Sequence, residues 1–147
     1  MITLLRRDFT VAVPLRRAWE HLARVERWPD WAPHIKRIEL QPPGELGRGS
    51  TGIIRLSNGM TSAFQMKEFN PLRNWKWIGP FLWLTVIYDH RFAELDGGGH
   101  TKLTWIVQAE GFGASSLGWM FAKIYGRNLE KAIPLLIAEM HASAAGA

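Results

Sequence analysis

The sequence predicts an α+β domain in which a curved antiparallel sheet of about seven strands wraps a long C-terminal helix. Three observations carry this prediction. Extended runs follow one another from residue 35 to residue 110 with only turns between them; two of those turns, Asn58-Gly59 and Asp96-Gly97-Gly98-Gly99, are hairpin signals; and the chain after Gly113 reads as one helix. Strands joined so closely pair antiparallel, because a parallel return needs a crossover of a dozen or more residues.

Residues 3–13 alternate, with Leu5, Phe9, Val11 and Val13 on one side, the period of a strand with one buried face. Pro14 suits the first turn of a helix, and Leu15, Ala18, Trp19, Leu22 and Val25 recur at helical spacing to residue 25. Pro29 and Pro33 then force Trp28-Pro29-Asp30-Trp31-Ala32-Pro33 into a bend or a single helical turn. Strands follow at 35–41, 51–57, 60–69, 74–78, 83–95 and 100–110, with Asn70-Pro71 and Gly79-Pro80 as further turns. The last helix, near 115–143, puts Leu117, Phe121, Ile124, Asn128, Ala132 and Leu135 on one face, and Pro134 should kink it.

The bulk composition excludes several classes of function. At 147 residues and 47% hydrophobic content the chain is expected to be one domain, residues 1–147, with one core. It has no cysteine, so disulfides, zinc-thiolate sites and cysteine nucleophiles are excluded. The start Met-Ile-Thr-Leu-Leu-Arg-Arg-Asp-Phe lacks the unbroken apolar stretch of a signal peptide, and the apolar run 81–88 is too short to span a bilayer, so a cytoplasmic protein is expected. The net charge of +5 is dispersed in pairs such as Arg6-Arg7 and Arg16-Arg17, which argues for a solvated surface and no nucleic-acid partner. Eight tryptophans are many for this length, and suit a dense core or the walls of an apolar pocket.

Local motifs exclude more. Gly47-Arg48-Gly49-Ser50-Thr51-Gly52 spells a dinucleotide fingerprint, but a strand follows where a helix N-terminus is required, so it reads as a loop and no cofactor is expected. The histidines at 21, 34, 90, 100 and 141 have no metal-gripping spacing, and no metal is expected. Ser115 and Ser116 read as a helix cap, not as nucleophiles.

Strand parity points to an interior site. Leu84, Val86, Tyr88, His90 and Phe92 share one face, and the charged Asp89 and Arg91 mark the other as solvated. Leu103, Trp105, Val107 and Ala109 point inward on the next strand, and Phe64, Met66, Trp75 and Trp77 extend the wall; Glu68 has the inward parity of Phe64 and Met66. The expected lining is thus Phe64, Met66, Trp75, Trp77, Tyr88, His90, Trp105, Phe121, Ile124 and Asn128, apolar with polar points at Tyr88, His90 and Asn128. Gly111 to Gly118, with Phe112, Leu117 and Trp119, reads as the movable edge of the entrance.

Strand, proline-bent short helices, six-stranded meander and long helix together resemble the helix-grip fold of the START-like (SRPBCC) superfamily, specifically its polyketide cyclase/dehydrase and lipid-transport family. The local marks are Val13-Pro14 with Trp19, the segment Val25-Glu26-Arg27-Trp28-Pro29-Asp30-Trp31-Ala32-Pro33, Gly47 and Gly49, and Asn70-Pro71. The resemblance implies a cavity between sheet and long helix that takes lipids, polyketides, quinones or similar molecules. It carries over no catalytic residues, since fold does not fix function. A binding or carrier protein for a small hydrophobic molecule is the leading expectation. The alternative is a polyketide cyclase or aromatase in which Tyr88 and His90 act as acid and base. A third reading, a membrane-associated chaperone for a lipid quinone that makes transient contact with a membrane surface, rests on the basic charge and an exposed Trp119. Ligand identity and oligomeric state are left open.

Overall fold

The computed structural model describes residues 1–145, with side chains to residue 143. The order is β1 (Ile2–Val11), α1 (Leu15–Ala23), a 3-10 segment (Val25–Asp30), β2 (Ile35–Gln41), β3 (Thr51–Leu56), β4 (Thr61–Asn70), β5 (Asn74–Phe81), β6 (Leu84–Leu95), β7 (His100–Glu110) and α2 (Ala114–Ala145). Among the described residues the strands form one seven-stranded sheet, ordered β1-β7-β6-β5-β4-β3-β2. Every pairing is antiparallel, so β2 to β7 form a meander and β1 closes on β7, from Ile2 opposite Ala109 to Val11 opposite Thr101. The expected fold class is the observed one. Gly59 and Gly97 take positive φ in the two hairpin turns, which glycine does without a Cβ clash.

The proline-rich bend is a helical segment anchored by tryptophan. The indole N–H of Trp28 donates to the Leu22 carbonyl at 2.9 Å, satisfying an unpaired carbonyl at the end of α1. The ring of Trp28 then lies against Trp77 and Trp31, each at 5.3 Å, while Trp19 of α1 packs on Trp75 at 5.1 Å and Phe92 at 4.9 Å. In the loop before β3, Gly47 N–H donates to Ser50 Oγ, and the chain enters the strand with no helix after it. Gly52 has a packing role instead: a Cβ there would stand 2.5 Å from the Phe64 ring and 2.6 Å from the Glu39 carbonyl.

Three sequence expectations are corrected. Gly79-Pro80 is not a turn: both lie in β5, opposite Val86 and Thr85, and the chain reverses at Leu82-Trp83, where Leu82 takes a positive φ. Another concerns β4, whose pairing slips between Met66 and Glu68, so that Met66 opposes Trp77 but Glu68 opposes Lys76. One extra residue reverses the parity beyond it. Glu68 therefore lies on the outer face, where it accepts from the Asn74 amide at 2.8 Å.

The third concerns the rotation of α2. Its buried positions are Ala114, Gly118, Gly126, Leu129, Ala132, Leu136 and Met140; Ile124 is 56% exposed and Leu135 is 48% exposed. Ile124 thus points away from the interior. Apolar residues nearly encircle this helix, so periodicity alone selected the wrong phase. Small residues decide it. A Cβ on Gly118 would come 2.7 Å from Leu4 Cδ2, and one on Gly126 3.3 Å from Arg7 Nη2, so these glycines let α2 lie close on β1. Pro134 is exposed inside α2 without ending it. Gly113 precedes the first helical residue, so Ser115 and Ser116 lie within the first turn, and Ser116 Oγ donates to the Gly113 carbonyl at 3.2 Å.

Candidate ligand-binding crevice

The inner face of the sheet brings most of the expected lining residues into register. Trp77 opposes Tyr88, and Tyr88 opposes Val107; Trp75 opposes His90, and His90 opposes Trp105. Phe64 lies 4.4 Å from Trp77, and His90 is 5.0 Å from Trp75 and 4.9 Å from Trp77. This part of the wall is packed solid. Phe64, Met66, Trp75, Trp77, His90 and Trp105 retain between 0% and 6% accessibility. Trp19, Trp28 and Trp31 from the helical segments fill the space above them, so these six side chains are core in this conformation.

The remaining part differs. Tyr88 lies 5.7 Å from Tyr125 and 6.4 Å from Phe121; Phe121 stacks on Tyr125 at 5.5 Å and meets Phe81 at 4.8 Å. Both tyrosines are half-buried where β6 faces the N-terminal half of α2, and this aromatic cluster is the candidate ligand site. Burial pushes both phenols well above their ordinary range, so they are neutral hydroxyls that donate and accept. Asn128 is half-buried one helical turn further on. Tyr125 and Phe81 were missed by the sequence reading. The four-residue spacing of Ala114, Gly118, Ala122 and Gly126 marks the face that places Tyr125.

His90 is deeply buried, and desolvation pushes its imidazole down to about 4, against a smaller opposing pull from Asp89 and a hydrogen bond to the Trp75 backbone. It is therefore neutral near pH 7. No carboxylate reaches it from the inner face among its described neighbours. Asp89 is on the outer face, accepting from Arg91 at 2.7 Å and from Asn74 at 3.0 Å, and Glu68 is on that face too.

An apolar rim borders the cluster. Leu82, Trp83, Phe112 and Trp119 are between 63% and 91% exposed, and Trp83 Nε1–H donates to the Phe112 carbonyl at 2.8 Å, tying the β5–β6 turn to the loop before α2. Gly111 and Gly113 flank Phe112 at positive φ. Residues 111–129 include Lys123 and Arg127 but no acid. Two open clefts lie elsewhere. One, of about 220 Å³, is lined by Val13, Arg17, His21, Arg24 and Met140; the other, of about 310 Å³, runs along Arg48, Met66, Lys67 and Phe69. No described helix is long and apolar enough to cross a membrane.

Known proteins match this arrangement. The family model described as polyketide cyclase/dehydrase and lipid transport matches residues 3–136. Uncharacterized proteins of Mycobacterium bovis and Mycobacterium tuberculosis are 24% identical over 113 residues, covering 71% of this chain and 64% of theirs. The match thus spans just under two thirds of their length. Among solved structures, the hypothetical protein jhp0584 of Helicobacter pylori superposes with a TM-score of 0.76 at 13% identity, covering 92% of this chain and 86% of that one. Ara h 8.0201 gives 0.68 at 15% identity over 94% and 97%. The Zhui aromatase/cyclase of a Streptomyces species gives 0.65 at 19% identity over 93% and 92%. At such identities these structures share the fold, and chemistry does not follow from it.

Proposed function

Since the chain belongs to the polyketide cyclase/dehydrase and lipid transport family, we propose that it binds a small, largely apolar molecule between sheet and C-terminal helix and serves as a binding or carrier protein. The observation that carries this reading is the half-buried aromatic cluster in which Tyr88, Phe121 and Tyr125 meet ring to ring between sheet and helix. Aromatic walls hold apolar ligand surface, and the neutral hydroxyls orient a carbonyl or hydroxyl on it. Asn128 belongs to this site. Phe64, Met66, Trp75, Trp77, His90 and Trp105 form its far wall once a ligand parts the aromatic block.

Binding is preferred to cyclase chemistry because an acid–base pair needs a group to set the tautomer and basicity of its imidazole, and the nearby carboxylates of Glu68 and Asp89 face away. The rim of Leu82, Trp83, Phe112 and Trp119 is proposed to meet the surface of an anionic membrane where ligand is exchanged. An exposed apolar tip of Leu82, Trp83, Phe112 and Trp119, with Lys123 one helical turn beyond Trp119 and Glu110 before Gly111, supports such a surface.

A naphthalene-sulfonate dye tests the central claim. The native protein should bind it with a change in tryptophan emission, and Tyr88→Phe and Tyr125→Phe should each weaken a hydroxyl-bearing competitor by roughly 0.5–1.5 kcal/mol. Dye binding unchanged by bulky replacement at Tyr125 would place the ligand elsewhere.

A further inference from the structure

At the opposite end of α2 from the apolar rim, the cleft of about 220 Å³ lies where α1 meets Met140. Its floor is apolar, with Val13 and Met140 each 2% exposed, and the Val13 carbonyl is fixed by Thr101 Oγ1–H at 2.8 Å. One wall is basic. Arg17 and His21 of α1 and Arg24 just after it follow at i, i+4 and i+7, the spacing that puts side chains on one helical face.

The neighbouring acids leave both guanidiniums open. Glu139 reaches across from α2 but is held by His21, Nε2 to Oε1 at 2.9 Å. Glu20 lines the same cleft, three residues after Arg17 and four before Arg24, yet no hydrogen bond or ion pair joins it to either among the described residues. Arg37 and Arg55 show the contrast, closing on Glu39 at 2.9 and 3.0 Å. Two open guanidiniums above an apolar floor select for one kind of molecule. Each fork takes carboxylate or phosphate oxygens in parallel hydrogen bonds. The floor takes an apolar group, of a size set by the space: an apolar cavity of about 150 Å³ accommodates benzene. A neutral molecule leaves the forks unused, and a bare inorganic ion leaves the floor in water.

We propose that this cleft is a second binding site, for a small organic acid whose oxyanion, carboxylate or phosphate, lies between Arg17 and Arg24 with its ring or short chain on Val13 and Met140. From Tyr125 to Met140 the helix rises roughly 22 Å, at about 1.5 Å per residue, so this site stands apart from the aromatic cluster and does not depend on it.

The experiment titrates ¹⁵N-labelled protein with benzoate, phenyl phosphate, neutral benzamide and inorganic phosphate at constant pH and ionic strength. At least one of the two organic anions should shift the amides of Arg17, His21, Arg24 and Met140 saturably while those of Tyr88 and Tyr125 stay in place, and the tighter of the two identifies the oxyanion. It should bind at least about tenfold more tightly than benzamide, since a site built for hydrogen bonds to one group rejects the analogue lacking it. Replacing both arginines, Arg17→Gln with Arg24→Gln, should weaken it about tenfold or more and leave the melting temperature within a few degrees. Equal binding of the anions and benzamide, or anion binding undiminished in the double variant, overturns the proposal. Inorganic phosphate matching both organic anions means an adventitious ion only, which also overturns it. Shifts centred on Tyr88 and Tyr125 place the acids at the aromatic cluster and sink the second site. No saturable shift at millimolar concentration sinks it too, and leaves the reading of the aromatic cluster standing.

Discussion

Acid should destabilise this protein through one imidazole. His90 is neutral in the fold, and desolvation holds it near 4 against an ordinary value of 6.5. A folded-state value below the unfolded one means that the unfolded chain takes up the proton first. Its contribution is therefore complete above pH 6.5 and is lost as pH falls from 6.5 towards 4. At about 1.4 kcal/mol per pH unit that interval corresponds to about 3 kcal/mol, a large share of the stability of a small domain. His34, also lowered by burial, adds in the same direction. Asp8 is held below its usual range chiefly by hydrogen bonds from Arg6 and Thr104, so the stability it adds is present above its ordinary value of 3.8 and is lost only at lower pH. The perturbation that isolates His90 is His90→Phe, which removes the titrating ring and keeps an aromatic group among Trp28, Trp75, Trp77 and Trp105. Urea unfolding measured by tryptophan emission between about pH 7.5 and 4 should show the wild type losing roughly 3 kcal/mol more than the variant. Parallel curves for the two proteins would refute the argument, because the imidazole would then be no more buried in the folded state than in the unfolded chain.

Other substitutions reach different parts of the structure. Gly52→Ala should cost about 1–3 kcal/mol in thermal or urea unfolding, because the new methyl meets the Phe64 ring and the fixed Glu39 carbonyl. Trp28→Phe, which leaves the Leu22 carbonyl without its donor, should destabilise by a similar roughly 1–3 kcal/mol, measured the same way. Replacing both Phe112 and Trp119 by serine should abolish sedimentation with anionic vesicles while leaving the melting temperature within a few degrees, since both side chains are mostly exposed. Amides from Gly111 to Gly118 should exchange faster than those of β6 and slow when a ligand binds; protection equal to that of the central strands would exclude a gate there.

The sheet was legible because alternation on β6 and β7 is unambiguous. Asp89 and Arg91 mark one face of β6 against Val86, His90 and Phe92 on the other, although that outer face is not fully solvated as expected: Asp89 is buried and paired with Arg91. The same rule failed on β4 at a bulge, which has no sequence signature here: Met66-Lys67-Glu68 reads as plain alternation, and only the partner strand reveals the slip. The site was half legible. Tyr88 and Phe121 meet as expected, but α2 is apolar on several sides and was read one position out of phase, which chose Ile124 over Tyr125. Its glycines held the missing information, since a residue lacking Cβ on a long helix marks where another backbone lies close. Nor does composition distinguish a tryptophan that lines a cavity from one that fills it; Trp19, Trp28 and Trp31 had no assigned partners until the helical segments were seen to fold over the sheet.

The order of the strands also sets the order in which the molecule is completed. Each pairing from β2 to β7 joins neighbours in sequence, so those hairpins zip locally as they leave the ribosome, whereas β1 finds its partner only across about a hundred residues, Ile2 against Ala109. Until β7 has been synthesised, β1 has no partner edge in this sheet. The helix that covers the aromatic cluster rests on β1, with Gly118 and Gly126 above Leu4, Leu5 and Arg7. The space between sheet and helix is therefore enclosed only when both ends of the chain are in place, the first strand paired with the seventh and the last helix laid across it.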